Sequence, residues 1–409
     1  MRPCFVALCL ALVFILPSSA TTIRVPQDQP TIQLGIEAAQ NGDTVLVSPG
    51  TYYESINFNG REITVESSNG PSVTFIDGSQ QSTVVFFLSA ETRAATLRGF
   101  TIQNGNGTFN GIKEGGGIFV GGASPTIVEN VIINNQACQG DGIAVGVGSP
   151  LIRGNLISKN LDAPECGGGI GGGGILISGV SSAQILNNRI VGNKTLDYGG
   201  GISLWDGNAV QIKNNVIANN VGHYNGGGIS MFNDTSSVVI IQNLIYGNQS
   251  VNGNGVYWST GPSAFVNNTV IDSPSSSGGG TVAGDELCCG VRIANNLIIA
   301  AGGAVNAFVC NNGDFSPDVI GFNDVFSSVG PAYGGKCSDQ TGILGNISAN
   351  PQFVDPSKRN FQLASGSPAI DAGHNSPRLP KADLAGNPRV VGPRVDMGAY
   401  EYQGNEARF

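Results

Sequence analysis

Charge is scarce in this chain. Asp, Glu, Lys and Arg make up only 12% of its 409 residues. Solvent-facing helices normally carry charged outer faces, so a mainly helical protein is excluded. The basic side is the thinner one, with 20 Lys and Arg against 29 Asp and Glu. That balance lacks the basic footprint that nucleic acid requires, so nucleic acid is excluded as a partner. A strongly anionic polysaccharide is disfavoured over the surface as a whole, although a local basic cleft would still hold one. Histidine is nearly missing too: His223 and His374 are the 2 present. With no zinc-type cysteine spacing, a structural Cys/His metal site is excluded. Beyond the first twenty residues no run of about 18 apolar residues occurs, so no membrane insertion is expected.

The twenty residues at the start read as a secretory signal, residues 1–20. Arg2 gives a basic start, 5–16 is an apolar run, and Pro17-Ser18-Ser19-Ala20 supplies small residues for cleavage. A secreted, monomeric chain of 389 residues with 19 basic and 29 acidic side chains is then expected. Cleavage also removes Cys4 and Cys9 and leaves Cys138, Cys166, Cys288, Cys289, Cys310 and Cys337. An even number in an exported chain favours disulfides. Cys138 and Cys166 each precede a Gly run on successive repeats and are expected to pair. The other four would make two further bridges, with three connectivities open.

What the chain has in abundance is Gly, 61 residues, and a recurring Asn. Asn130, Asn155, Asn188, Asn215, Asn243, Asn268, Asn296 and Asn323 are each followed two residues later by Ile or Val. The steps between them are 25, 33, 27, 28, 25, 28 and 27 residues. Such a period marks a solenoid, in which one repeat cannot bury its apolar face alone. A second Asn series runs five residues on, at Asn135, Asn160, Asn193, Asn220 and Asn248.

Each repeat has two halves. A Gly tract leads into Ile118, Ile143, Ile202, Ile229 or Val256, 12 to 14 residues before the Asn. Apolar residues then alternate, as in Ile202/Leu204 and Ile229/Met231, the period of a strand with one face inward. A second short strand surrounds the Asn. Short strands at this period, without helices between them, describe an all-β parallel β-helix of about three strands per coil. Stacked Asn amides would bond from coil to coil, and Gly would supply positive φ at the opposite corner. At the N-terminus Pro30 is expected to open a capping helix over about 30–40, with Ile32 and Ile36 on one face and Asn41-Gly42 closing it. Strands are expected at 44–47, 63–65, 73–76, 84–88 and 96–102.

The segment Gly42-Asp43-Thr44-Val45-Leu46-Val47-Ser48-Pro49-Gly50-Thr51-Tyr52 resembles the opening motif of right-handed parallel β-helix proteins of the pectin-lyase-like superfamily. The tail motifs Asn350-Pro351-Gln352-Phe353-Val354-Asp355-Pro356, Ser367-Pro368-Ala369-Ile370-Asp371-Ala372-Gly373 and Val395-Asp396-Met397-Gly398-Ala399-Tyr400-Glu401 are similar to the choice-of-anchor Q region of exported bacterial β-helix proteins. The resemblance implies a right-handed β-helix over 21–355, with regular repeats over 99–325 and an extended tail over 356–409 packed on it. It is specific for fold and export and weak for reaction, since the superfamily includes lyases, hydrolases, epimerases and non-catalytic proteins. The chain stops at Phe409 with no apolar or basic anchor, and release is expected.

If the alternation holds, Trp205 and Phe232 face outward at matching positions of neighbouring coils. The adjoining turns bring Asp197, Tyr198, His223 and Tyr224, and Asp206 and Asp234 follow. Rings beside carboxylates suit polysaccharide, stacking on the apolar face of sugars while polar groups orient hydroxyls. The alternative is a ring that only shields its own loop. For a hydrolase, Asp197, Asp206 and Asp234 are the acids that would have to flank a glycosidic bond. For a lyase acting on uronates, a basic residue removes the proton α to the carboxyl and a second cation neutralises it. Arg153 and Lys213 stand two residues before a ladder Asn, but Leu186 intervenes on the coil between; Lys159, Arg189 and Lys194 are alternatives. A third reading is a purely structural surface protein. No resident cofactor is expected; Asp371, Asp396 and Glu401 suit either calcium or the capping of turn N–H groups.

Overall fold

Three groups of alternating apolar residues give each coil three short strands. In the coil around Asn215, Ile202 and Leu204, then Ile212, then Ile217 are fully buried. They lie in the strands Ile202–Trp205, Gln211–Lys213 and Val216–Ala218. Neighbouring coils repeat these positions one for one, with Ile185 and Ile240 flanking Ile212 and Ile190 and Ile245 flanking Ile217. The stacked strands form three parallel sheets, of 12, 11 and 12 strands among the described residues. The first sheet holds Gln211–Lys213, the second Val216–Ala218 and the third Ile202–Trp205. The computed structural model describes residues 20–404 apart from 110–111, 207–208, 233–236, 273–278, 289–290, 305, 313–314, 317–318 and 377–378. The expected signal, Asp234 and Cys289 therefore lie outside the described residues, as does the side chain of Cys288.

The Asn column is a continuous hydrogen-bonded ladder. Asn215 Nδ2 donates to Asn243 Oδ1 at 3.0 Å and to the Ile185 carbonyl at 2.8 Å, and its backbone N–H donates to the same Asn243 Oδ1. The pattern repeats from Asn130 to Asn323, and Asn346 adds a further rung beyond it. The second series is wired the same way from Asn135 to Asn248. The residue before each ladder Asn turns the chain from first to second sheet through a left-handed conformation, with φ of 56° at Asn187 and 58° at Asn214 and Gln242. That turn also splits the expected strand 96–102 into Thr96–Arg98 and Thr101–Gln103, with Gly99 at φ 78° between them.

The Gly tracts do two jobs. Their first residue takes positive φ, 62° at Gly199 and 67° at Gly226. The third is held by crowding: a Cβ on Gly201 would meet the Gly228 carbonyl at 2.5 Å and Asn220 Nδ2 at 3.0 Å.

The N-terminal helix is shorter than expected, Ile32–Ala38, and Pro30 lies outside it. Thr31 is the cap residue, accepting from Leu34 N–H, and the Glu54 carboxylate accepts from Ile32 and Gln33 N–H. Ile32 and Ile36 are buried in the end of the core. The C-terminal segment leaves the parallel winding earlier than residue 356, since Phe353–Asp355 already pairs antiparallel with Asn360–Leu363. The tail then covers the outer face of the second sheet: Phe361, Leu363, Ala369 and Met397 pack on Leu244, Ile271, Leu297 and Ile299. Disulfides join Cys138 to Cys166, as expected, and Cys310 to Cys337. No described helix is long and apolar enough to cross a membrane.

Candidate functional site

The outer face of the third sheet carries a ring cluster. Strands Ile202–Trp205 and Ile229–Phe232 pair in register, setting Ser203 beside Ser230 and Trp205 beside Phe232. Because Ile202, Leu204, Ile229 and Met231 fill the core, the residues between and after them face out. Trp205 and Phe232 stack with centroids 4.6 Å apart and planes at 20°. Tyr198 joins from the preceding turn, 4.7 Å from Phe232 and 5.7 Å from Trp205, and Tyr224 lies 5.4 Å from Tyr198. Tyr257 on the next coil is buried and packs 5.3 Å from Phe232, and His223 stands edge-on to Tyr224 at 4.6 Å. Trp205, Phe232 and Tyr198 are half-buried, while His223 and Tyr224 are exposed. The indole nitrogen donates to the Ile170 carbonyl at 2.8 Å and to Ser203 Oγ at 3.0 Å. The ring is thereby turned back over Ser203. Ile170 belongs to the extra length of the 33-residue step, which the Cys138–Cys166 bridge fastens down.

The acids divide. Asp206 is exposed at the end of its strand, at φ 60°. Asp197 is not on the surface as expected but only 2% exposed, with one carboxylate oxygen lacking a hydrogen-bond partner. It lies near Asp141 and Asp162 from earlier coils, both buried as well. Burial, then the neighbouring Asp162 charge, pushes the Asp141 carboxyl well above the usual carboxylate range. Asp162 is also raised by burial, against the Leu196 N–H and Thr195 hydroxyl that it accepts. The sequence held one signal for this cluster: Asp141 occupies a tract position where other coils carry Gly200 or Gly227. At the far end of the rings Tyr257 donates its hydroxyl to Asp285, and Asn311 Nδ2 donates to the other carboxylate oxygen at 2.8 Å. Sequence reasoning missed Tyr257, Asp285 and Asn311.

The cations are spread over the other sheets. Arg153, Leu186 and Lys213 align on consecutive strands of the first sheet, so Leu186 separates the two charges. Lys213 instead shares a groove with Arg292 over Val239, Ile241, Ala264 and Val266, and burial lowers its pKa. Lys194 lies in a short fourth sheet and Arg189 on the second. In the tail, Asp396 accepts from Asp371 and Tyr402 N–H, and Glu401 from Val391 and Asp396 N–H. Asp371 accepts from Arg394 N–H. These are the turn-capping bonds, and buried Arg389, unnoticed in the sequence, faces Glu401 at 3.5 Å. Among the described residues no group of three or more His, Cys, Asp or Glu is arranged to hold a metal ion.

The family model for the right handed beta helix region matches residues 35–270 and 116–312. The chain belongs to the right-handed β-helix family. No curated protein matches this β-helix chain in sequence. Among solved structures, a pectate lyase, Pel9A, is similar over 94% of this chain and 97% of its own, with 16% identity and a TM-score of 0.57. The A-module of mannuronan C-5 epimerase AlgE6 from Azotobacter vinelandii covers 78% of this chain and 95% of its own, at 16% identity and a TM-score of 0.42. At such identities the likeness is one of fold.

Proposed function

We propose that this β-helix protein is exported and engages extracellular polysaccharide, binding it across the rings on the outer face of the third sheet. The observation that carries the reading is the stacked Trp205–Phe232 pair with half-buried Tyr198 and exposed Tyr224 beside it. The exposed edges of the stack and the open ring of Tyr224 offer apolar contact to a sugar, while Asp206 and the Asp285–Asn311 pair reach hydroxyls beside it. The N-terminal apolar segment and the tail's likeness to the choice-of-anchor Q region support export. Pel9A, a pectate lyase by name, supports polysaccharide as the partner class.

The test is a glycan array with the mature chain and Trp205→Ala. The variant is expected to bind its glycan about 1–3 kcal/mol more weakly, the value of ring stacking elsewhere, with only a small fall in melting temperature from the lost packing on Phe232. Unaltered binding, or lost stability as the main effect, would assign the ring to the scaffold.

A second reading, a lyase acting on uronate-containing glycans, is favoured by Lys213. Burial lowers the pKa of its amine, which favours a proton-accepting role. Arg292, three strands further along the same groove, is a second cation for a carboxylate of a chain lying along it. A lyase releases unsaturated product that absorbs in the ultraviolet, and Lys213→Ala should abolish it. Binding without such product supports the first reading; neither binding nor product would leave a structural surface protein.

A further inference from the structure

The second sheet carries a cation, without an ion pair among the described residues, where the strands on either side carry apolar Leu156 and Val216. Arg189 is in register with Val216, and Leu244, Thr269 and Leu297 follow on later coils. The tail covers that column and ends its cover at Arg189. There a cleft opens between β-helix and tail, and a second arginine, Arg359, lines it from the tail side. Arg359 closes the short turn Pro356–Lys358 at φ 61°. Both arginines are exposed, and neither has an ion pair or side-chain hydrogen bond among the described residues. Asn187, Asn214, Gln362 and Tyr400 line it too, with apolar Val216, Phe361 and Leu384, and no Asp or Glu is among the described residues that line it.

We propose that this cleft is an oxyanion site, in which a carboxylate or sulfate group is held between Arg189 and Arg359. Two guanidiniums at one cleft repel each other until an anion lies between them, and their planar forks match the oxygen spacing of both groups. The surrounding amides donate to the remaining oxygens or to hydroxyls beside them. The site is local and positive on a chain of net charge −9, so it selects for an anionic group rather than for a polyanion at large. Because one arginine belongs to the coils and the other to the tail, a bound oxyanion also fastens the tail to the body.

The experiment is calorimetric titration of the mature chain at low salt with sodium sulfate, sodium acetate, a sulfated dextran oligomer, a uronic acid oligomer and polyglutamate, with neutral dextran as control. At least one anionic probe should bind, and which arms respond tells sulfate from carboxylate and sugar from peptide. Arg189→Gln and Arg359→Gln should each weaken binding about tenfold or more, the value of one charge-assisted pair. Neither should lower the melting temperature without anion. Trp205→Ala should leave sulfate or acetate binding unchanged, so this site and the ring platform stand or fall separately. Hydrogen exchange in the strand Asn360–Leu363 should slow when the anion binds. Absence of binding by every anionic probe, arginine variants that bind like the parent, or binding without slower exchange in that strand would overturn the proposal.

Discussion

A single Asn shows what a repeated residue does in this fold. Asn215 Oδ1 accepts the backbone N–H and the side-chain amide of Asn188, at 2.8 and 3.1 Å, while its own amide serves Asn243 and the Ile185 carbonyl. Asn215→Leu leaves those buried donors and acceptors without partners and should cost about 1–3 kcal/mol in urea unfolding. A variant as stable as the parent would show that water takes over the rung. The ladder was legible because every coil needs the same side chain at the same turn, so chemistry repeats as letters. Asn346 was not, since Ser348 stands where the pattern has Ile or Val. Asp197 was misplaced for a different reason. Alternation tells inside from outside along a strand, but Asp197 sits in a turn, where burial depends on Asp141 and Asp162 from coils far back in the chain.

At the scale of elements, the helix Ile32–Ala38 shows where local signals stop. Its apolar face, Ile32 and Ile36, was readable, and its start was displaced because part of its cap comes from another coil. Glu54, 22 residues on, accepts from Ile32 N–H at 2.9 Å and Gln33 N–H at 3.0 Å. A carboxylate there satisfies two unpaired helix donors and faces the positive end of the helix. Glu54→Ala should therefore cost about 1 kcal/mol, the usual value of a lost cap. The loss should be read as faster hydrogen exchange in that helix, with the later coils unchanged, as expected when each coil touches only its neighbours. Uniformly faster exchange along the chain would mean that the helix nucleates the whole stack. The same locality explains the sheets: their register was legible from spacing, whereas the face taken by the tail required side chains such as Phe361 and Met397 to be seen against Leu244 and Leu297.

The molecule as a whole hides more acid than its sparse charge suggests, and this sets its response to pH. Burial raises the carboxyl of Asp324 to about 7 despite the Ala349 N–H it accepts, and raises Asp141 well above its ordinary value. In the unfolded chain both ionise near about 3.9. Between that value and the raised one the folded protein binds more protons than the unfolded chain, so stability falls as pH rises through the window. The contribution is fully present below about pH 4 and is lost by about 7 for Asp324. Asp43 acts in the opposite sense: N–H bonds from Gln40 and Thr21 lower its pKa, so its contribution fades only as pH falls below the ordinary carboxylate range. The β-helix should thus be most stable in mildly acidic solution and weaken toward neutrality. Asp324→Asn keeps the acceptor for Ala349 but cannot ionise, and it should flatten the fall between pH 4 and 8 by roughly 1.4 kcal/mol for each unit of pKa difference removed. Denaturant midpoints across that range, for parent and variant, decide the matter. Parallel curves would mean that Asp324 reaches water in the folded state, and that the end of the solenoid around Asn346 opens more readily than its buried ladder implies.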